Sequence, residues 1–245
     1  MFSHSERCIY NNNFLVEVIC QLRFPEILSI DTTLPDRFQD AIRDTFPIYS
    51  VRKENIHDRQ TNNHQFATQD GTWRINLTSR FISLSCNKYR CWEEFAGILD
   101  KPLAAFIQIY SPAFFERAGL RYLNILSRKN LGLDALSFSQ LIMPPYSGIL
   151  AEQDINEANV SLCSLDTDVA LRGGCRLKLH SGLGKVTRNG LQDPEIKFIL
   201  DEDLYMQGNI PVNTSAAALQ TLHSQTYSIF RGAISDTLHD AMQPQ

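Results

Sequence analysis

The chain has 245 residues, 43% of them hydrophobic and 20% charged, the composition of an ordinary globular protein. Lys and Arg sum to 23 and Asp and Glu to 27, giving a formal charge of −4. That balance excludes a uniformly basic nucleic-acid binder and a polyacidic disordered tail, but not a local basic patch.

The N-terminus, MFSHSERCIYNNN, is polar and lacks the apolar core of a secretory signal. Residues 14–24 alternate: Val16, Val18, Cys20, Leu22 and Phe24 share one face, Glu17, Gln21 and Arg23 the other. This is the period-2 mark of a half-buried strand. Thr33, Pro35 and Asp36 open a helix whose apolar stripe is Leu34, Phe38, Ala41, Ile42 and Phe46, closed by Pro47. Residues 51–65 are polar and without period, which predicts an exposed hairpin loop containing His57 and His64. Two alternating strands follow around Trp73–Leu77 and Ile82–Cys86, turning at Thr78-Ser79-Arg80.

Residues 91–110 read as a helix with Trp92, Phe95, Leu99, Leu103 and Phe106 on its stripe, kinked or restarted at Pro102. Its apolar run is cut by Asp100 and Lys101, short of the roughly 20 residues that cross a bilayer. GLRYLNIL (119–126) is a strand, a short helix is predicted near 134–143, and ANVSLCSL, GCRLKLHS and EIKFILD are three more strands. A long amphipathic helix from about Thr214 to Ala241 closes the chain, with Leu219, Leu222, Thr226, Phe230, Ala233, Ile234 and Leu238 inward. Six cysteines without a CxxC pair read as mostly buried free thiols. The chain is therefore expected to be cytoplasmic, off the membrane, and without metal or cofactor.

Internal matches organise the chain. LRFPEIL (22–28) and LRYLNIL (120–126) share four kinds of residue at the same offsets, FQDAI (38–42) resembles FSQLI (138–142), and FPIYS (46–50) echoes MPPYS (143–147). The reading is an α+β fold of two β-α-β(3)-α pseudo-repeats, 14–112 and 113–242, after an extension over 1–13. They would share one largely antiparallel sheet with helices on one face.

The residues VxxQLRFP (18–25), FISLSxxxYxxWxxF (81–95) and RxGLRYxN (117–124) resemble a sporadically distributed bacterial protein family of unknown function. The resemblance implies a bacterial defence or toxin–antitoxin setting and carries no catalytic residues with it.

If helices cover one sheet face, the other is left to Arg23, Arg74, Arg121, Arg176, Lys178 and His180. Arg23 and Arg121 hold equivalent repeat positions, and Arg176, Lys178 and His180 form a basic stripe. Such a face can contact phosphates, but with an acidic total a protein interface or a solvated face is the stronger reading. SGLGKVT (181–187) lacks the full phosphate-loop pattern and reads as a turn between strands. His57 and His64 have no third metal ligand placed by sequence, and His223 reads as a helix boundary residue. Asp201-Glu202-Asp203 reads as a solvated turn, and Glu93-Glu94 do not face each other on a helix. No nucleophile or metalloprotease motif is present. The function expected is non-catalytic binding or regulation through a protein partner, such as a neighbouring gene product or a second copy. A nucleic-acid module is the alternative, and an enzyme with an unrecognised site near His180 or His223 the third.

Overall fold

A computed structural model describes residues 7–56, 59–188 and 190–245. Its centre is β1 (Leu15–Arg23), paired antiparallel with β5 (Phe81–Cys86) on one side and β6 (Phe115–Leu126) on the other. Outward from β5 come β4 (Trp73–Leu77), β3 (Arg59–Ala67) and β2 (Ile48–Ile56). Outward from β6 come β9 (Leu191–Ile210), β8 (Cys175–Arg188) and β7 (Ser164–Ala170). Every neighbouring pair in this nine-stranded sheet is antiparallel.

Register explains the core. Phe66, Ile75, Leu84, Cys20, Leu120, Leu204 and Leu177 follow one another from strand to strand, all buried. Because side chains alternate along a strand, this row fixes which face of all seven strands is apolar. Helices cover that face: α2 (Asp36–Ile42) brings Phe38 against Phe66, and α3 (Trp92–Tyr110) brings Phe95 against Trp73 and Phe106 against Phe24. In the second half α4 (Phe138–Leu141) sets Phe138 on Phe198, and α6 (Ser215–Ala233) packs over β6 and β9. The mixed α+β class is thus as expected, and among the described residues no helix is long and apolar enough to cross a membrane.

Several expectations are corrected. Residues 51–56 and 59–65 are not a loop but paired strands of the β2–β3 hairpin. Their inward positions are polar, which hides the apolar period. Asn62 bonds Asp31 and His64 bonds the Ile30 carbonyl, both in the short helix α1 (Ser29–Thr32). His57 lies outside the described residues. Leu34 is 73% exposed and stands outside the core. Helix α3 runs unbroken through Pro102. The helix near 134–143 shrinks to α4, and ANVSLCSL gives way to a strand starting only at Ser164. The echoed FPIYS and MPPYS blocks diverge: Ile48 begins a strand, while Pro144–Ser147 form the short helix α5, with proline suited to its first turn.

SGLGKVT lies within β8 rather than in a turn. A side chain at Gly182 would stand 2.0 Å from the Cys163 carbonyl oxygen, so that glycine permits a close backbone approach. The closing helix breaks after Ala233, and Ser235 caps a separate α7 (Asp236–Ala241) by accepting from the Leu238 amide. Its predicted inward residues are all buried. All six cysteines are free, four of them buried.

Candidate functional site

The face opposite the helices carries the predicted residues. Arg74, Ser85, Ile19, Arg121, Asp203, Lys178 and Asp168 form one continuous cross-strand row. Arg74 is exposed at one end of it, strands away from Arg121. The remaining five predicted residues fall nearer the β6–β9–β8 side. Arg23 lies opposite Arg117 on the β1–β6 pair, and both line a depression with Arg121 and Lys178. Arg176 and His180 flank Lys178 along β8.

The basic stripe is largely neutralised by its neighbours. Arg121 Nε donates to Asp201 at 2.7 Å, Arg117 to Asp203 at 2.6 Å and Arg176 to Asp168 at 2.6 Å. His180 Nδ1 lies 2.8 Å from Asp166, and that contact pulls the Asp166 carboxyl below its usual range. Arg117 also stacks over the Tyr205 ring at 4.5 Å. Arg23 donates to Gln21 at 2.9 Å. Among the described residues, neither Arg23 nor Lys178 has a carboxylate within ion-pair distance. Lys178 sits opposite Asp203 and Asp168, but each of those acids is held by an arginine. The centre of the open face therefore presents two unpaired cations beside two paired ones.

Across the sheet lies a second feature. Trp73, Cys86, Val18, Tyr122, Glu202 and Leu179 form another row on the helix side. Glu202 occupies a core position in it and is 0% exposed. This corrects the solvated-turn reading of Asp201-Glu202-Asp203: the three lie mid-strand in β9, where alternation sends the aspartates outward and the glutamate inward. Neither carboxyl oxygen of Glu202 has a hydrogen-bond partner. Burial, with nearby Asp201 adding to it, drives its pKa well above the usual value and so favours the neutral form.

Beside it, α6 delivers His223, 6% exposed, whose Nδ1 shares a hydrogen bond with the Tyr122 hydroxyl at 3.1 Å. The imidazole stacks on Trp92, ring centroids 4.7 Å apart. Desolvation first, then the charge of Arg7, lowers its pKa to about 4, so it is neutral at pH 7. Glu202, His223, Tyr122 and Asn124 line a cavity of about 90 Å³. Its walls are otherwise mostly apolar, including Leu15, Phe230 and Met242. Arg7, which bonds Glu93 in bidentate fashion, also lines it. The sequence signal for this site was period-2 continuation of EIKFILD through Glu202. The three consecutive acids obscured it.

Among the described residues no group of three or more metal-ligating side chains is assembled. The chain matches no protein-family model and no curated protein.

Proposed function

We propose that the protein is a non-catalytic binding or regulatory component of a bacterial defence or toxin–antitoxin-type system, acting through a protein partner. The observation that carries this reading is the convergence of Arg23 and Lys178, both without a carboxylate, in one depression with Arg117 and Arg121. A partner's acidic segment satisfies them in a way the sheet itself does not. A nucleic-acid backbone is a poorer occupant. Its continuous run of phosphates would extend beyond the depression onto Asp166, Asp168 and Asp201, where phosphate repels carboxylate, whereas a short acidic segment ends within it. An enzyme reading at His180 gains nothing from its neighbours, because adjacent Ser181 points to the other face and bonds the Tyr146 carbonyl.

The strand order supports the duplication. Each half lays a first strand at the centre, β1 or β6, crosses to the margin at β2 or β7 and returns inward, through four strands in the first half and three in the second, before a 19-residue helix. On this reading Arg23 and Arg121 are counterparts on either side of the pseudo-symmetric centre, lining one depression.

The test is co-purification with neighbouring gene products. Wild type is expected to retain its partner, and the Arg23→Glu, Lys178→Glu double variant to lose at least tenfold in affinity with its circular dichroism unchanged. Tight binding of duplex or single-stranded nucleic acid at low salt, lost in the same variant, would reverse the assignment.

A further inference from the structure

Both carboxyl oxygens of Glu202 and Nε2 of His223 are buried without a hydrogen-bond partner, and both residues line the same cavity. Folded proteins pair the great majority of buried polar atoms, so three orphans around one cavity call for a missing partner. Contrast His64, equally buried, whose two ring nitrogens are spent on Tyr49 and the Ile30 carbonyl. That histidine is structural, while His223 has one nitrogen left over.

We propose that the cavity binds a small uncharged organic molecule, with an apolar body and one amide, carbonyl or hydroxyl head directed at Glu202 and His223. The head is uncharged because the cations on the wall, Arg7 and Arg90, are already held by Glu93 and Glu94. Glu202 lies in an apolar cross-strand row, and His223 is sandwiched among Trp92 and Tyr122. An ammonium or carboxylate placed there would lose its hydration with no free counter-charge opposite to replace it. A neutral head exchanges hydrogen bonds with both groups and needs no proton taken up or released. The body is apolar because most of the remaining exposed wall is apolar, with Leu15, Phe230 and Met242 contributing to it. Its size is limited: a cavity of about 150 Å³ holds benzene, so one of about 90 Å³ holds a smaller body.

The experiment uses the full chain and three probes sharing a four-carbon body: butyramide, butyrate and n-butylammonium. Binding is followed by the ring resonances of His223 and by displacement of the Trp92 signal. Butyramide is expected to shift His223 saturably and to bind at least tenfold more tightly than either charged probe. Glu202→Leu should weaken it at least fivefold. Glu202→Gln, neutral and still hydrogen-bonding, should hold affinity within threefold and serves if the leucine variant misfolds. Equal binding of a charged probe overturns the proposal, as does loss of binding in the glutamine variant. So does a cavity in which no probe moves His223 and only ordered water joins it to Glu202.

Discussion

One step along β9 separates Asp203, held by Arg117 at the open face, from Glu202, enclosed with no partner. Their chemistry is nearly the same and their environments are opposite, and two stability effects follow. Below about pH 4.3 a glutamate is protonated in both folded and unfolded chains. Above that, the unfolded chain ionises while Glu202 does not, so stability declines by up to about 1.4 kcal/mol per pH unit until the folded pKa is reached. Glu202→Leu removes that slope and the desolvated carboxyl together. We expect it to stabilise the protein by about 1–3 kcal/mol at pH 7, and by more at pH 8 than at pH 5, in urea unfolding. His223 has the opposite sign. Its folded pKa of about 4 lies under the ordinary 6.5, so its contribution is complete above pH 6.5 and lost as pH falls through 4. A His223→Phe variant, keeping the stack on Trp92, should flatten the acid limb between those values in a Tm-against-pH profile.

At the scale of elements, the clearest check falls on β8 and its edge partner. Gly182→Ala would drive a methyl into the Cys163 backbone, and relieving it means pulling β7 from the sheet. A cost of about 1–3 kcal/mol is expected from overpacking alone, read as a lowered urea midpoint. Elements with a clean apolar period were legible in the sequence, among them β1, α3 and the α6 stripe. Those that fail the test do so for identifiable reasons. In β3, Asn62 and His64 face inward to bond α1, so a buried strand looks polar. In β7, Asp166 and Asp168 answer Arg176 and His180 on β8, so the edge strand carries little apolar period. For the site, the outward parity of Arg23, Arg121, Arg176, Lys178 and His180 was legible, but Arg121 pairs with an acid 80 residues away, and Arg176 and His180 with acids on β7, whose start lies later than its apolar pattern suggests. Glu202 was misread because a run of acids suggests solvent, while alternation along a strand places only every second one there.

For the whole molecule, the sheet grades from a doubly supported middle to two open margins. Hydrogen exchange should be slowest in β1 and β6, whose amides lie between paired strands under α3 and α6. It should be fastest in β2 and β7, where residues such as Ile48, Val51 and Val169 stand exposed at the margin. Protection spread evenly over all nine strands would contradict the arrangement. The open face, self-paired across β6, β9, β8 and β7, should keep the fold nearly insensitive to salt. Exposed pairs contribute only about 0–1 kcal/mol each, so a Tm measured at 0.05 and 1 M NaCl should differ little.

The central β1–β6 pair also sets an order of events at the ribosome. By the time α3 has emerged, β1 has β5 on one side and nothing on the other, its second partner lying about a hundred residues downstream of it. Until Phe115–Leu126 is synthesised, the nascent first half exposes what will become the middle of the sheet as a raw edge. An edge of that kind pairs with any similar strand nearby, including the same edge on a neighbouring nascent chain. Pauses in translation between α3 and β6 should therefore lower the soluble yield more than pauses placed after β9.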